Sequence, residues 1–234
     1  MSEEALVSWH EVECGGYEAD LPLWEELAAG ANGTILDLGC GTGRVARHLE
    51  RRGHRVLGLD VEPGYVAAFG ENGVLGDARG FDLDAEFGLI LAPMQLAQLF
   101  AGPDERRGCL HSVAGHLAEG VGLAAFAIVE SMPSPADPSP PLPDVRERDG
   151  WVYSSLPIET LVGDGTIRLR RLRQTVSPGG DLSEELDEVL LQALDAETLE
   201  DEARQAGLRA AGRRAIPATD AHVGSTVVLL RRDG

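Results

Sequence analysis

Lysine is absent from this chain: all 20 basic residues are arginine, a bias that genome composition accounts for. Against them stand 39 acidic residues, which leaves a formal net charge of -19. A surface of that sign repels phosphate backbones and anionic headgroups, so a nucleic-acid substrate and a membrane surface are both disfavoured. Cysteine is scarce. Cys14, Cys40 and Cys109 form no CxxC pair and no Cys/His cluster, which speaks against a disulfide framework and a zinc site, and no metal ligand set is expected. No stretch approaches the roughly 18 uninterrupted apolar residues of a membrane span. The opening MSEEALVSWHEVE is acidic and lacks an apolar run, so it does not read as a signal peptide. The cytoplasm is the expected location.

What is present suits one domain, or one domain with a sizeable insertion: 234 residues, with 43% hydrophobic and 25% charged, enough to bury a core without staples. Leu21, Leu23, Trp24, Leu27 and Ala28 recur at helical spacing over 17–29. The apolar run Thr34-Ile35-Leu36-Asp37-Leu38 then predicts a buried strand. The turn Gly39-Cys40-Gly41-Thr42-Gly43 follows, and after it an amphipathic helix carrying Val45, Ala46 and Leu49. Further strands are predicted at 54–59, 74–75, 87–91 and 121–129, separated by helices near 63–69 and 103–117. This alternation predicts a parallel sheet covered on both faces, with the strand C-terminal ends gathered at one edge. Asp37–Gly39, Asp60, Asp77 and Ala92 all fall at that edge, where such sheets bind ligands.

The pattern then breaks. The segment 131–143 holds six prolines and reads as a loop. Three runs, 151–162, 166–176 and 182–194, are separated by Gly163-Asp164-Gly165 and Pro178-Gly179-Gly180, and predict a three-stranded antiparallel meander. A helix at 197–206 and two strands at 208–216 and 222–231 close the chain. The expected architecture is therefore α/β: a doubly wound, Rossmann-like, mostly parallel seven-stranded sheet built from 1–130 and 195–234. A small antiparallel β-subdomain, 131–194, is inserted after the fifth strand as a lid or dimer contact.

The glycine turn lets the backbone bend sharply and lets a ligand approach the main chain. A dinucleotide fingerprint wants its third glycine at position 44, where this chain has Arg44. That absence argues against an NAD(P)-dependent oxidoreductase. Asp60 lies 21 positions after Gly39, the placement of an acid that accepts the hydroxyls of an adenosine ribose. The spacing indicates a nucleoside ligand without saying which.

The run Ile35-Leu36-Asp37-Leu38-Gly39-Cys40-Gly41-Thr42-Gly43-Arg44 resembles motif I of class I S-adenosylmethionine-dependent methyltransferases. Val56-Leu57-Gly58-Leu59-Asp60-Val61, Gly76-Asp77-Ala78 and Phe87-Gly88-Leu89-Ile90-Leu91-Ala92-Pro93 resemble the motifs that follow. The resemblance spans about 15–130, with a weaker likeness from 197 onward. It implies S-adenosylmethionine as cofactor and S-adenosylhomocysteine as product. Gly39, Cys40 and Gly41 would lie against the methionine part, with Asp37 holding the turn or the cofactor's amino group. Asp60 would bind the ribose, Val61 would pack on the adenine, and Asp77 with the Ala78 N–H would meet the adenine edge. The Ala92 carbonyl would face the methionine amino group, and Tyr17 could reach the methionine carboxylate. The chain lacks the Asn-Pro-Pro-aromatic or Asp-Pro-Pro-aromatic signature of many nucleic-acid amino methylators. With the acidic charge, that points to a small-molecule acceptor, methylated on O or N by in-line displacement.

Such a displacement needs alignment more than acid, and a base only for some acceptors. Glu130, ending the fifth strand, is the candidate base. His111 and His116 are weaker ones, and Trp151 and Tyr153 could wall the acceptor. Arg168, Arg170, Arg171 and Arg173 could receive an acidic acceptor, or pair with Glu184, Glu185, Asp187 and Glu188 across the meander. A non-catalytic S-adenosylmethionine or S-adenosylhomocysteine binder fits the same motifs. A monomer and a homodimer remain equally open.

Overall fold

The computed structural model describes residues 3–130, 142–220 and 222–233. In chain order the elements begin α1 (Glu3–Cys14), α2 (Leu21–Ala29), β1 (Ile35–Leu38), α3 (Arg44–Glu50), β2 (Val56–Asp60), α4 (Pro63–Phe69), β3 (Gly73–Leu75) and β4 (Leu89–Ala92). They continue with α5 (Leu96–Leu99), α6 (Pro103–His116), β5 (Leu123–Ile128), β6 (Asp144–Arg148), β7 (Trp151–Gly163), β8 (Thr166–Val176), β9 (Leu182–Gln192), α7 (Ala196–Gln205), β10 (Leu208–Ile216) and β11 (Ser225–Arg232).

Seven strands form one sheet in the order β10-β11-β5-β4-β1-β2-β3. The pairs β3–β2, β2–β1, β1–β4 and β4–β5 are parallel, while β11 runs antiparallel to both its neighbours. The order reverses between β1 and β4, so a crevice opens beyond their carboxyl ends. Helices cover both faces, which is why β1 and β4 are buried along their whole lengths and read as continuous apolar runs. Alternate residues divide between two cores: Leu36, Leu38 and Ile90 pack towards α6 and α7, Ile35, Leu89 and Leu91 towards α2 and α3. Each such buried side chain is worth about 1.5–3 kcal/mol. Among the described residues no helix is long and apolar enough to cross a membrane.

The second sheet is antiparallel, in the order β6-β7-β8-β9. It has one strand more than the sequence predicts. β6 is short and mostly exposed, with the polar sequence DVRER, so it carries no apolar alternation; the register against β7 (Arg146↔Tyr153) makes it a strand. The predicted proline-rich loop lies outside the described residues except for Leu142 and Pro143. The helix predicted from residue 17 starts at Leu21, after a turn whose Asp20 is bonded by the Trp24 indole (2.8 Å) and the Arg44 guanidinium (2.7 Å). Arg44, which stands where a dinucleotide site would have glycine, thus ties the start of α3 to α2.

The largest departure from expectation is α1. Its charged sequence has no broad apolar stripe, and its helicity comes from tertiary partners. Trp9 packs edge-on against Tyr153, with centroids 5.2 Å apart, and under the Arg173 guanidinium. Glu13 takes two bonds of 2.7 Å from Arg173 and one of 2.8 Å from Ser155. Arg146 donates to Glu11 at 2.9 Å. α1 is thereby bound to the inner face of the small sheet.

Candidate functional site

The turn after β1 is shaped by glycines that a side chain could not replace. Gly39, Gly41 and Gly43 have φ of 64°, 55° and 89°, in the left-handed region that favours glycine. The Gly39 and Cys40 N–H groups donate to the Leu59 carbonyl at 2.8 and 3.1 Å. Asp60 completes the turn: one carboxylate oxygen accepts from the Gly41 N–H (2.8 Å), the other from the Glu62 N–H (3.0 Å). The acid at the end of β2 therefore shapes the glycine turn, and each of its oxygens keeps a lone pair for a ligand.

A cavity of about 550 Å³ lies over this edge. Its floor includes Asp37, Gly39, Cys40 and Asp60, and one end is formed by Val61, Asp77, Ala78 and Arg79. Asp77 is held by Arg79, with contacts of 2.6 to 3.0 Å, and that pairing lowers its pKa. The wall beyond β4 is Pro93, Met94 and Gln95. Met94 and Gln95 both sit at positive φ, 58° and 56°, a conformation that costs non-glycine residues about 1–3 kcal/mol each.

Asp37 is the electrostatic anomaly. It is buried, and its carboxylate oxygens make no well-formed hydrogen bond; the Ala46 N–H is a near donor that stabilises the charge only weakly. Burial pushes its carboxyl up to about 7 from an ordinary 3.8, against the opposing pull of Arg44. A buried carboxylate so weakly paired is costly, and it faces a cavity that a ligand could enter.

The roof was not legible as a site in the sequence. Leu6, Trp9, His10 and Glu13 line the cavity, and their i, i+3, i+4, i+7 spacing is the signal by which one face of α1 could have been found. Opposite them stand Leu169, Arg173, Val189 and Leu191 of the small sheet, and Tyr65 of α4. Burial opposes ionisation of Glu13, but the bonds from Arg173 and Ser155 outweigh it and hold its pKa below the ordinary value.

Of the residues singled out in the sequence, Asp37, Gly39, Cys40, Asp60, Val61, Asp77 and Ala78 line the cavity. Gly41 lies in the turn beneath His10, whose ring a Cβ at Gly41 would strike. Ala92 is buried within the sheet, paired with Phe126, and its successors Pro93 and Met94 form the wall instead. Tyr17 lines a smaller recess behind the turn. There it stacks on His222, centroids 4.7 Å apart, with Arg44 over its ring. Glu130 does not line the cavity, so the base role expected of it is corrected: one oxygen accepts the Ala196 N–H (2.9 Å) at the start of α7 and the other the Thr226 hydroxyl. His116 is bonded to Ser112 and Leu83, and His111 is exposed. Arg168 and Arg173 pair with Glu188 and with Glu185 and Asp187, and Arg170 and Arg171 pair with Glu159 and Asp144. Of these four arginines only Arg173 reaches the cavity.

Residues 35–120 match the model of a methyltransferase domain. No curated protein matches the chain closely in sequence. Among solved structures, KedS8, a sugar N-methyltransferase from Streptoalloteichus sp. ATCC 53650, is 18% identical, with 99% of this chain and 93% of that one covered and a TM-score of 0.72. CalS10, an amino pentose methyltransferase from Micromonospora echinaspora solved with S-adenosylmethionine bound, is 20% identical over 95% and 96%, with a TM-score of 0.70. An S-adenosylmethionine-dependent methyltransferase from Clostridium acetobutylicum ATCC 824 is 14% identical over 99% and 98%, with a TM-score of 0.72. Residues 35–120 thus carry the sequence pattern of a methyltransferase domain, and the chain shares its fold with S-adenosylmethionine-dependent methyltransferases.

Proposed function

We propose that the chain transfers a methyl group from S-adenosylmethionine to a small-molecule acceptor, and that the acceptor atom is nitrogen. The observation that carries the cofactor reading is Asp37. A buried carboxylate that is only weakly stabilised, by the Ala46 N–H and the field of Arg44, and that faces a cavity floored by a glycine turn, suits a ligand that brings positive charge to the end of β1. A sulfonium and an ammonium both qualify. The amine acceptor is inferred from the structural neighbours, which methylate an amino pentose and a sugar nitrogen.

The bound cofactor would supply an activated methyl on sulfur. Asp60 would take the ribose hydroxyls on its remaining lone pairs, and Asp77 would accept from the adenine amino group. Val61, 64% exposed, would gain a flat partner in the adenine. The insertion 131–194 would act as a roof over the acceptor: Leu169, Val189 and Leu191 make its inner face apolar, excluding water from the line of attack. Holding nucleophile and methyl in line is then most of the catalysis, and the neutral leaving sulfur requires no acid.

Calorimetric titration with S-adenosylmethionine, S-adenosylhomocysteine and NAD tests this. Binding of the first two and not of NAD is the expected result, followed by methylation of amine-bearing sugars in an acceptor screen. Binding of NAD alone would overturn the cofactor reading, and turnover only with hydroxyl acceptors would overturn the choice of nitrogen.

A further inference from the structure

His10 sits where α1 meets the glycine turn. It lines the cavity, its ring occupies the space a Cβ on Gly41 would need, and it lies against Tyr65 with ring centroids 4.6 Å apart. Its Nδ1 is 3.3 Å from the Thr42 hydroxyl. In the tautomer in which the Thr42 hydroxyl donates to Nδ1, the ring proton is on Nε2, and no hydrogen-bond partner stands at Nε2 among the described residues. Asp60 exerts the strongest field on the ring, ahead of Glu11, Arg44 and Glu13. Asp60 is also the acceptor of the Gly41 N–H, so His10, Gly41 and Asp60 are one cluster.

We propose that His10 is a cofactor-binding residue on the ribose side of the site, its Nε2–H donating to a ribose hydroxyl that itself donates to Asp60. This rests on the methyltransferase reading above. The chemistry is complementary: a hydroxyl offers one proton and accepts another, so it can lie between a carboxylate and a neutral imidazole. Burial lowers the His10 pKa despite the opposing field of Asp60, which keeps the ring neutral. A neutral ring suits a hydroxyl, whereas the methionine carboxylate would call for an imidazolium. The contact also gives α1 a reason to lie on the turn: the residues on either side of His10 on the same helix face, Trp9 and Glu13, hold the small sheet, so the ribose and the roof share one helix.

The test compares S-adenosylhomocysteine with 5′-methylthioadenosine, which keeps the ribose and lacks the amino-acid part. His10→Phe retains a ring over Gly41 without the donor. It should weaken both ligands alike, by about three- to tenfold for one lost neutral hydrogen bond. His10→Gln, whose amide N–H can stand in for Nε2–H, should recover most of that loss. Unchanged affinity in His10→Phe would overturn the assignment, as would a loss confined to S-adenosylhomocysteine, which would put His10 on the methionine. A fall in turnover with both affinities intact would move it to the acceptor and equally refute the ribose contact. If the unaltered protein binds neither S-adenosylmethionine nor S-adenosylhomocysteine, the methyltransferase reading fails first. Normal binding by all three proteins sinks the His10 proposal alone.

Discussion

The two sheets build opposite halves of one cavity by opposite means. The large sheet makes the floor chiefly from backbone: three left-handed glycines and the Leu59 carbonyl, with the carboxylates of Asp37 and Asp60, all within about 25 residues of sequence. The small sheet and α1 make the roof from side chains. Arg173 reaches Glu13 across 160 positions, and Ser155 reaches it across 142. A floor of backbone hardly changes when a surface residue changes. A roof of ion pairs and ring contacts is set by individual side chains, so single substitutions can reshape the roof over a constant floor.

That contrast can be broken most forcefully at Arg173. Its pair with Glu13 is well buried, each side chain being 11% exposed, so Arg173→Ala leaves a carboxylate without its main donor. A loss of about 3 kcal/mol is expected, read by thermal unfolding, with partial rescue when Glu13→Gln is added. If roof and floor are separable, S-adenosylhomocysteine binding to the refolded variant should change far less than acceptor KM; a matched loss in both would show that they are not.

Next in size is the floor's own anchor. Asp60→Ala removes charge-assisted bonds worth roughly 1.5–3 kcal/mol, and cofactor affinity should fall about ten- to a hundredfold by calorimetry. An unchanged dissociation constant in a folded variant would refute the ribose assignment.

Asp37 gives a pH signature confined to the floor. Its folded pKa, about 7, lies above the ordinary 3.8. Ionisation therefore costs the folded state: the penalty is absent below about pH 4, grows as pH rises, and is complete above about 7. A bound cation relieves it, so cofactor affinity should rise by up to about eightfold between roughly pH 6 and pH 7.5, while Asp37→Asn should flatten the profile. A wild-type profile as flat as the variant's would remove Asp37 from the site.

The smallest effect is expected at Glu130. With both oxygens committed to Ala196 and Thr226, Glu130→Gln should leave kcat within about threefold of the wild type while lowering stability by about 1 kcal/mol. A large fall in kcat at unchanged stability would restore Glu130 as a base.

The same contrast explains what the sequence could reveal. The strand–turn–helix pattern and the acids at strand ends are local, so the positions of Asp37, Gly39, Asp60 and Asp77 follow from the strand pattern, while Ala78 comes from the motif resemblance. Three of the four strands of the small sheet were legible from their turn signals, but β6 was not, because a polar pentapeptide becomes a strand only by pairing. α1 was missed for a related reason. Its inward face mixes Leu6, Trp9, His10 and Glu13, and the charged members are accommodated only by partners more than a hundred residues away. Glu130 was misjudged because a strand-end position says nothing about direction: the carboxylate turns to cap α7. Ala92 lies at the end of β4 as expected, buried and paired with Phe126, and Tyr17, expected in the helix before β1, lies in the turn before α2 and lines a separate recess.

Gln98 of α5 is completely buried. Its amide nitrogen donates to the carbonyls of Val129 (3.1 Å) and Gln192 (3.0 Å), while its oxygen accepts from the Val129 N–H (2.7 Å). One side chain thus spans the two points where the chain leaves the large sheet and comes back to it. Cutting the small sheet away would strip Gln98 of the Gln192 carbonyl and α1 of the partners of Trp9, Glu11 and Glu13. The two sheets are therefore sewn together at two separate seams, and a change in one is felt in the other.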